Sequence, residues 1–166
     1  MTILKKFYAS GLAWLWIAIL VIVIDRYSKI WVIDHLTFQE PLRILPFLNL
    51  TLALNTGAAF SFLHTASGWQ NWLLGGLAII ISVLMVFWLA KLSARACWMS
   101  IALSLVLGGA LGNAWDRILY GYVIDFLSFH LGNWYFAIFN LADSAICVGA
   151  VMICLQWTWS GKAKTN

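Results

Sequence analysis

Asn140 and Asp143 stand three residues apart in Phe139-Asn140-Leu141-Ala142-Asp143-Ser144-Ala145-Ile146, within a stretch that is otherwise apolar. At that spacing an amide and a carboxylate share one face of a helix. An acid at the centre of a spanning helix costs about 2.5–3.5 kcal/mol on insertion scales, so it turns toward protein or a wet cavity and is functional by default. Asp125 is a second acid in an apolar setting, Val123-Ile124-Asp125-Phe126. Neither has an obvious cationic partner. Two carboxylates held close cannot both ionise, so one keeps its proton near neutrality. The ionised member can take a proton from water while the protonated one donates to a carbonyl oxygen. That is peptide hydrolysis of the aspartyl type, needing no metal, cofactor or covalent nucleophile. Spacing alone leaves the partner of Asp143 open, because Asp116 and Asp25 compete with Asp125.

The other polar residues have plainer readings beside functional ones. Asp25 and Lys29, at i, i+4 with the acid first, read as a structural ion pair. Asp116-Arg117 reads as a solvated or locally paired couple, and Asn113 as a cap or a bridge between helices. Asn55, two residues before Gly57, can end a strand. Other hydrolytic signatures are missing: there is no H-E-x-x-H or G-x-S-x-G, and His35, His64 and His130 are scattered, so no metal site is expected. Cys97, Cys147 and Cys154 read as small buried hydrophobes, the last two about 10 Å apart along one helix and too far to bridge.

These residues must be positioned by membrane spans. The chain is 63% hydrophobic and only 10% charged, against about 25% charged in an ordinary soluble domain. The apolar excess falls in four blocks, 8–24, 72–90, 98–114 and 134–157, roughly 25 to 36 Å long as helices. Four transmembrane helices are predicted. The first follows Lys5-Lys6, but no small-x-small pattern succeeds Ile24, so it is expected to be retained. Lys5, Lys6, Lys91, Arg95, Lys162 and Lys164 cluster at both termini and between the second and third blocks, where no acid lies. Both termini are therefore expected in the cytoplasm. The net charge of +4 reflects this topology and does not argue for nucleic acid.

Two segments then face outward. In the first, Asn49-Leu50-Thr51-Leu52-Ala53-Leu54-Asn55 alternates as a half-exposed strand does. Its flanks, including Gly57-Ala58-Ala59-Phe60-Ser61-Phe62, extend a small sheet over about 42–62, its leucines resting on the membrane surface. The second, from Trp115 to about Asn133, is expected as a short helix or loop. Gly108 and Gly112 form a small-xxx-small pair suited to close packing inside the bundle. A single membrane domain, 1–166, is predicted, and a monomer.

The motifs Asp25-Arg26-Tyr27-Ser28-Lys29, Asn55-Thr56-Gly57-Ala58-Ala59-Phe60, Gly108 to Arg117, Gly121 to Phe126 and Phe139 to Asp143 occur in an order that resembles the lipoprotein signal peptidase (signal peptidase II) family. The resemblance implies a four-helix aspartyl endopeptidase of the bacterial inner membrane, with a small extracytoplasmic sheet cradling its site. It implies Asp125 and Asp143 as the catalytic pair. Asn55, Gly57, Asn113, Arg117 and Asn140 match polar positions around the site, while Asp25, Lys29 and Asp116 match supporting ones. It also implies the partners: prolipoproteins whose lipobox cysteine carries diacylglycerol, membrane lipid, and cyclic-peptide inhibitors of the globomycin type. A proton-coupled transporter using Asp143 as its relay is the competing class. Against it, the acids gather toward one side, and no charge lies between Trp72 and Ala90.

Overall fold

The computed structural model describes residues 7–57 and 69–162, with side chains as far as Thr158. It is mainly helical, with one small antiparallel sheet. After a 3-10 turn at Gly11–Trp14 come α1 (Leu15–His35), β1 (Leu42–Leu45), β2 (Leu48–Asn55), α2 (Trp69–Lys91), α3 (Cys97–Tyr120), β3 (Val123–Leu131), β4 (Trp134–Tyr135) and α4 (Leu141–Lys162). α3 is the hub: α1, α2 and α4 all pack on it, and twelve of its residues, from Ser100 to Asp116, are buried.

Glycine makes this packing close. A Cβ on Gly109 would collide with the Ala142 carbonyl of α4. On Gly108 it would fall 2.8 Å from the Ala18 carbonyl of α1, and on Gly112 it would lie 2.8 Å from Asp25 Oδ2. The small residues of α3 are thus consumed within the bundle. The expected buried cysteines are the reverse: Cys97, Cys147 and Cys154 are all exposed, because the small side chains buried between helices are glycine, alanine and serine instead.

Among the described residues, three helices are long and apolar enough to cross a membrane by length and composition: Trp69–Lys91, Cys97–Tyr120 and Leu141–Thr158. Every 18-residue stretch of α1 includes Asp25, Arg26 and Lys29, which sets it apart. Nor does α1 stop at Ile24; it runs on to His35. Its charges can sit mid-helix because Asp25 and Lys29 are 1% and 0% exposed and neutralised by partners.

The sheet runs β1-β2-β3-β4 in spatial order. β3 is the segment expected as a helix or loop; it pairs with β2 through Ala53↔Asp125, Leu54↔Ile124 and Asn55↔Val123. Ile124 and Phe126 are β formers whose burial with Val32 of α1 and Leu52 of β2 outweighs the local turn signals. β2 slips register between Leu50 and Ala53, so its leucines do not share one fate: Leu52 is buried and Leu54 is exposed. The expected strand over 58–62 lies outside the described residues. The fourth helix begins at Leu141 rather than Trp134. Before it, Phe139 bridges to Leu127, and Phe129 stacks between Phe47 and Phe139 at 6.2 and 5.7 Å. Apolarity marked this segment; aromatic side chains on a sheet edge account for it.

Candidate active site

Four elements and one loop converge on a cavity of about 480 Å³. Asn55 arrives from the end of β2, Asn113 and Arg117 from α3, Asp125 from β3 and Asp143 from the first turn of α4. Val123, Phe136, Phe139, Ile146 and Cys147 provide apolar walls. Of the two acids, Asp125 is 2% exposed, and Asp143 is partly open to the cavity.

Asn140 holds the centre. It is fully buried and lies just before α4, not on the helix face the spacing suggested. Its Oδ1 accepts the Asp143 N–H at 2.9 Å, while Asp143 Oδ2 accepts the Asn140 N–H at 3.3 Å. That reciprocal pair is a capping box, here built from Asn and Asp. The i, i+3 spacing is therefore met, through helix initiation. At the helix N-terminus the macrodipole also favours the Asp143 charge. The Asn140 Nδ2 group donates to Asp125 Oδ1 at 2.7 Å, with Ile124 O and Asn113 Oδ1 at 3.3 and 3.1 Å. One amide thus links both acids.

Each acid has a second amide. Asn55 Nδ2 donates to Asp125 Oδ2 at 3.0 Å, and Asn113 Nδ2 to Asp143 Oδ1 at 2.7 Å. Burial pushes the Asp125 carboxyl up to about 7, the nearby Asp143 charge adds to the rise, and the hydrogen bonds from Asn55 and Asn140 oppose it. Near neutral pH, Asp125 is therefore poised between acid and base, the range useful to a general acid.

Behind the cavity lies a buried charge cluster. Lys29 pairs with Asp25 and Asp116, both at 2.8 Å. Asp25 Oδ1 accepts the Ala142 N–H at 3.0 Å, tying α1 to the first turn of α4. Asp116 does not pair with its neighbour Arg117. It turns to α1, meeting Arg26 at 2.6 Å as well as Lys29, because residues i and i+1 of a helix point apart. Sequence reasoning gives Arg26 no role except as part of a motif. The signal was an acid, Asp116, left without a cation on its own helix face. Arg26 also donates to Tyr120 Oη at 2.6 Å.

Arg117 faces the cavity instead. It donates to Asn113 O and to Gly57 O, both at 3.3 Å, and its buried Nε has no partner among the described residues. Gly57 is held in turn by its N–H donating to Asn55 Oδ1 at 3.0 Å. All ten residues singled out from the sequence thus belong to one connected region. Asn55, Asn113, Arg117, Asp125 and Asp143 line the cavity, Asn140 and Gly57 hold those lining residues, and Asp25, Lys29 and Asp116 form the cluster behind. Chemically, the cavity offers a carboxylate acceptor, a carboxyl able to donate near neutrality, amide donors and an apolar wall.

Residues 17–159 match the family described as Signal peptidase (SPase) II. The chain is 47% identical over 161 residues to a lipoprotein signal peptidase of Yersinia enterocolitica, covering 97% of this chain and 95% of that one. It is 46% identical over 152 residues to a lipoprotein signal peptidase of Yersinia pestis, covering 92% and 90%. Among solved structures, a bacterial membrane enzyme determined in meso at 2.3 Å superposes with a TM-score of 0.82 at 30% identity, over 92% of this chain and 91% of that one. A second, at 1.9 Å, gives a TM-score of 0.77 at 32% identity over 87% and 92%. The chain belongs to the signal peptidase II family and is a peptidase.

Proposed function

We propose that this peptidase removes the signal peptide from prolipoproteins carrying diacylglycerol on the lipobox cysteine, cutting just before that cysteine with Asp125 and Asp143 as a catalytic pair. The observation that carries the reading is that both acids line one cavity and are joined through the single buried amide of Asn140. In this reading Asp143, whose two oxygens both accept hydrogen bonds, takes a proton from water. That water attacks the scissile carbonyl carbon while protonated Asp125 donates to the carbonyl oxygen. The tetrahedral intermediate then collapses: the C–N bond breaks, the proton gained by Asp143 passes to the departing amine, and one hydroxyl of the gem-diol returns its proton to Asp125 as the new carbonyl forms. Charge develops where amide donors are already fixed, so little reorganisation is needed.

The apolar walls favour a lipid-anchored substrate entering from the bilayer. Val123, Phe136 and Ile146 can face acyl chain or apolar peptide while the scissile bond reaches the acids. We place the chain in the bacterial inner membrane with four spans, both termini cytoplasmic and the sheet outside, on the distribution of lysine and arginine. Cyclic peptides of the globomycin type are expected to compete for the cavity. A monomer suffices, since the close-packing glycines of α3 face α1 and α4.

The test is made in cells that carry the variant as sole copy. Asp125→Asn or Asp143→Asn should leave lipoproteins in the precursor form, and normal processing in either removes that residue from the pair. Reporter fusions at Ala94 should read cytoplasmic and at Gly121 extracytoplasmic; the opposite result puts the site on the wrong side.

A further inference from the structure

An ammonium has three protons and no acceptor. Lys29, 0% exposed, directs its Nζ at three atoms: Asp25 Oδ2 and Asp116 Oδ2 at 2.8 Å, and Asn113 Oδ1 at 3.2 Å. Charge balance needs only the first two, because Arg26 also serves Asp116. The third goes to a neutral amide, and that amide donates to Asp143 at 2.7 Å.

We propose that Lys29 is a positioning residue that fixes which way the Asn113 amide points, and so keeps a hydrogen-bond donor on Asp143. The proposal rests on the reading of Asp143 as a member of the catalytic pair. Asn113 Oδ1 accepts from Lys29 Nζ and also from Asn140 Nδ2 at 3.1 Å. Flipping Asn113 would set its NH₂ against both of these donors and offer Asp143 an oxygen. Asn140 cannot flip with it, because its Oδ1 already accepts the Asp143 N–H and its Nδ2 donates to Ile124 O. Nor can the ammonium adapt, having nothing to accept with. Lys29 therefore adds a charged lock on the Asn113 orientation, and its charge polarises the Asn113 carbonyl, strengthening the N–H that meets Asp143. A lysine two contacts from the acid thereby acts on it through a neutral relay.

The experiment uses purified enzyme and a diacylglyceryl-modified precursor peptide. Removing Lys29 alone would strand the buried Asp25, so Lys29→Met is made in Asp25→Asn, which keeps the buried cluster neutral through Arg26 and Asp116. Relative to Asp25→Asn alone, kcat should fall at least about fivefold with KM changed less than about twofold. In an Asp25→Asn, Asn113→Ala background, adding Lys29→Met should change kcat less than about twofold, because the relay is already cut. An equal loss in both backgrounds, or no loss in either, overturns the proposal. Should the Lys29 variant fail to fold, Asn113→Asp decides: it still accepts from Lys29 but gives Asp143 no donor, so cleavage should collapse, and retained cleavage overturns the relay. Asp143→Asn run alongside separates the two claims. If it still cleaves, the catalytic reading itself fails; if it is dead while the Lys29 losses are equal in both backgrounds, only the relay fails.

Discussion

Asn140 does two jobs that substitution can separate. Its Oδ1 caps α4 by accepting the Asp143 N–H at 2.9 Å, and its Nδ2 serves Asp125 at 2.7 Å. Asn140→Ser keeps an oxygen fit for capping and deletes the amide donor, whereas Asn140→Ala deletes both. Loss of a cap costs about 1 kcal/mol. Loss of the donor leaves buried acceptors short and costs about 1–3 kcal/mol. The alanine variant is thus expected to be about 2–4 kcal/mol less stable than wild type, and the serine variant about 1 kcal/mol better than alanine. Activity should not follow stability. Both variants remove the same hydrogen bond from Asp125, and since that bond opposes the rise to about 7, its loss moves Asp125 higher. With Asp125 as the acid that must be protonated, the alkaline limb of the cleavage profile should shift to higher pH equally in both. Tryptophan-fluorescence unfolding in micelles gives the stabilities, and cleavage of a lipidated precursor peptide across neutral pH gives the profile. A serine variant with the wild-type profile, or a limb that moves to lower pH, would refute the reasoning.

The stability of the wild type should itself depend on pH. Asp125 holds its proton up to about 7 in the fold against an ordinary value of 3.8, so the folded state binds more protons between those limits. Stability contributed by this group is complete at acid pH and is lost as pH rises through that window, by up to about 4 kcal/mol; Asp125→Asn should flatten the slope in pH-scanned unfolding, and an unchanged slope would contradict the assignment. Gly109→Val should disrupt the α3–α4 contact, because its Cβ would strike the Ala142 carbonyl, whereas Gly76→Val, with nothing within 4 Å, should unfold within a degree or two of wild type. Asp116→Asn leaves Arg26 without an acid and Lys29 with only Asp25, a loss of about 3–5 kcal/mol by the same unfolding measurement.

The parts of this architecture written in local composition were legible. Trp69–Lys91 and the Trp98 to Ala114 part of α3 are runs of apolar residues without a competing period, so hydropathy alone located them; α3 in fact runs past the expected end at Ala114 to Tyr120, with Asp116 held by partners on α1. Asp143 stood out because burying an acid in such a run demands a reason. What escaped depended on partners far away in sequence. The reach of α1 to His35 depends on Asp116, ninety-one residues beyond Asp25, supplying the charge that keeps Lys29 buried. The β3 strand depends on pairing with β2 about seventy residues earlier, as at Ala53↔Asp125. Hydropathy places the start of α4 at Trp134, because Trp134 to Phe139 is as apolar as a span; only the capping box of Asn140 and Asp143 marks the true beginning at Leu141. The spacing that suggested a shared helix face was a helix-start signal. Choosing Asp125 over Asp116 as the partner of Asp143 required the family resemblance, since spacing does not separate the two acids. The geometry separates them: Asp116 is spent on Arg26 and Lys29, and Asp125 lines the cavity.

The central claim, a pair of carboxyls that activates water, is tested most directly with purified wild type, Asp125→Asn and Asp143→Asn on one diacylglyceryl-modified precursor peptide, with the products identified by mass. The prediction is a single cut before the lipidated cysteine in wild type, and a loss of at least about a thousandfold in each variant, the scale on which an essential acid or base acts. Both variants should retain cooperative unfolding. Cleavage by either folded variant at a rate near wild type would contradict the account.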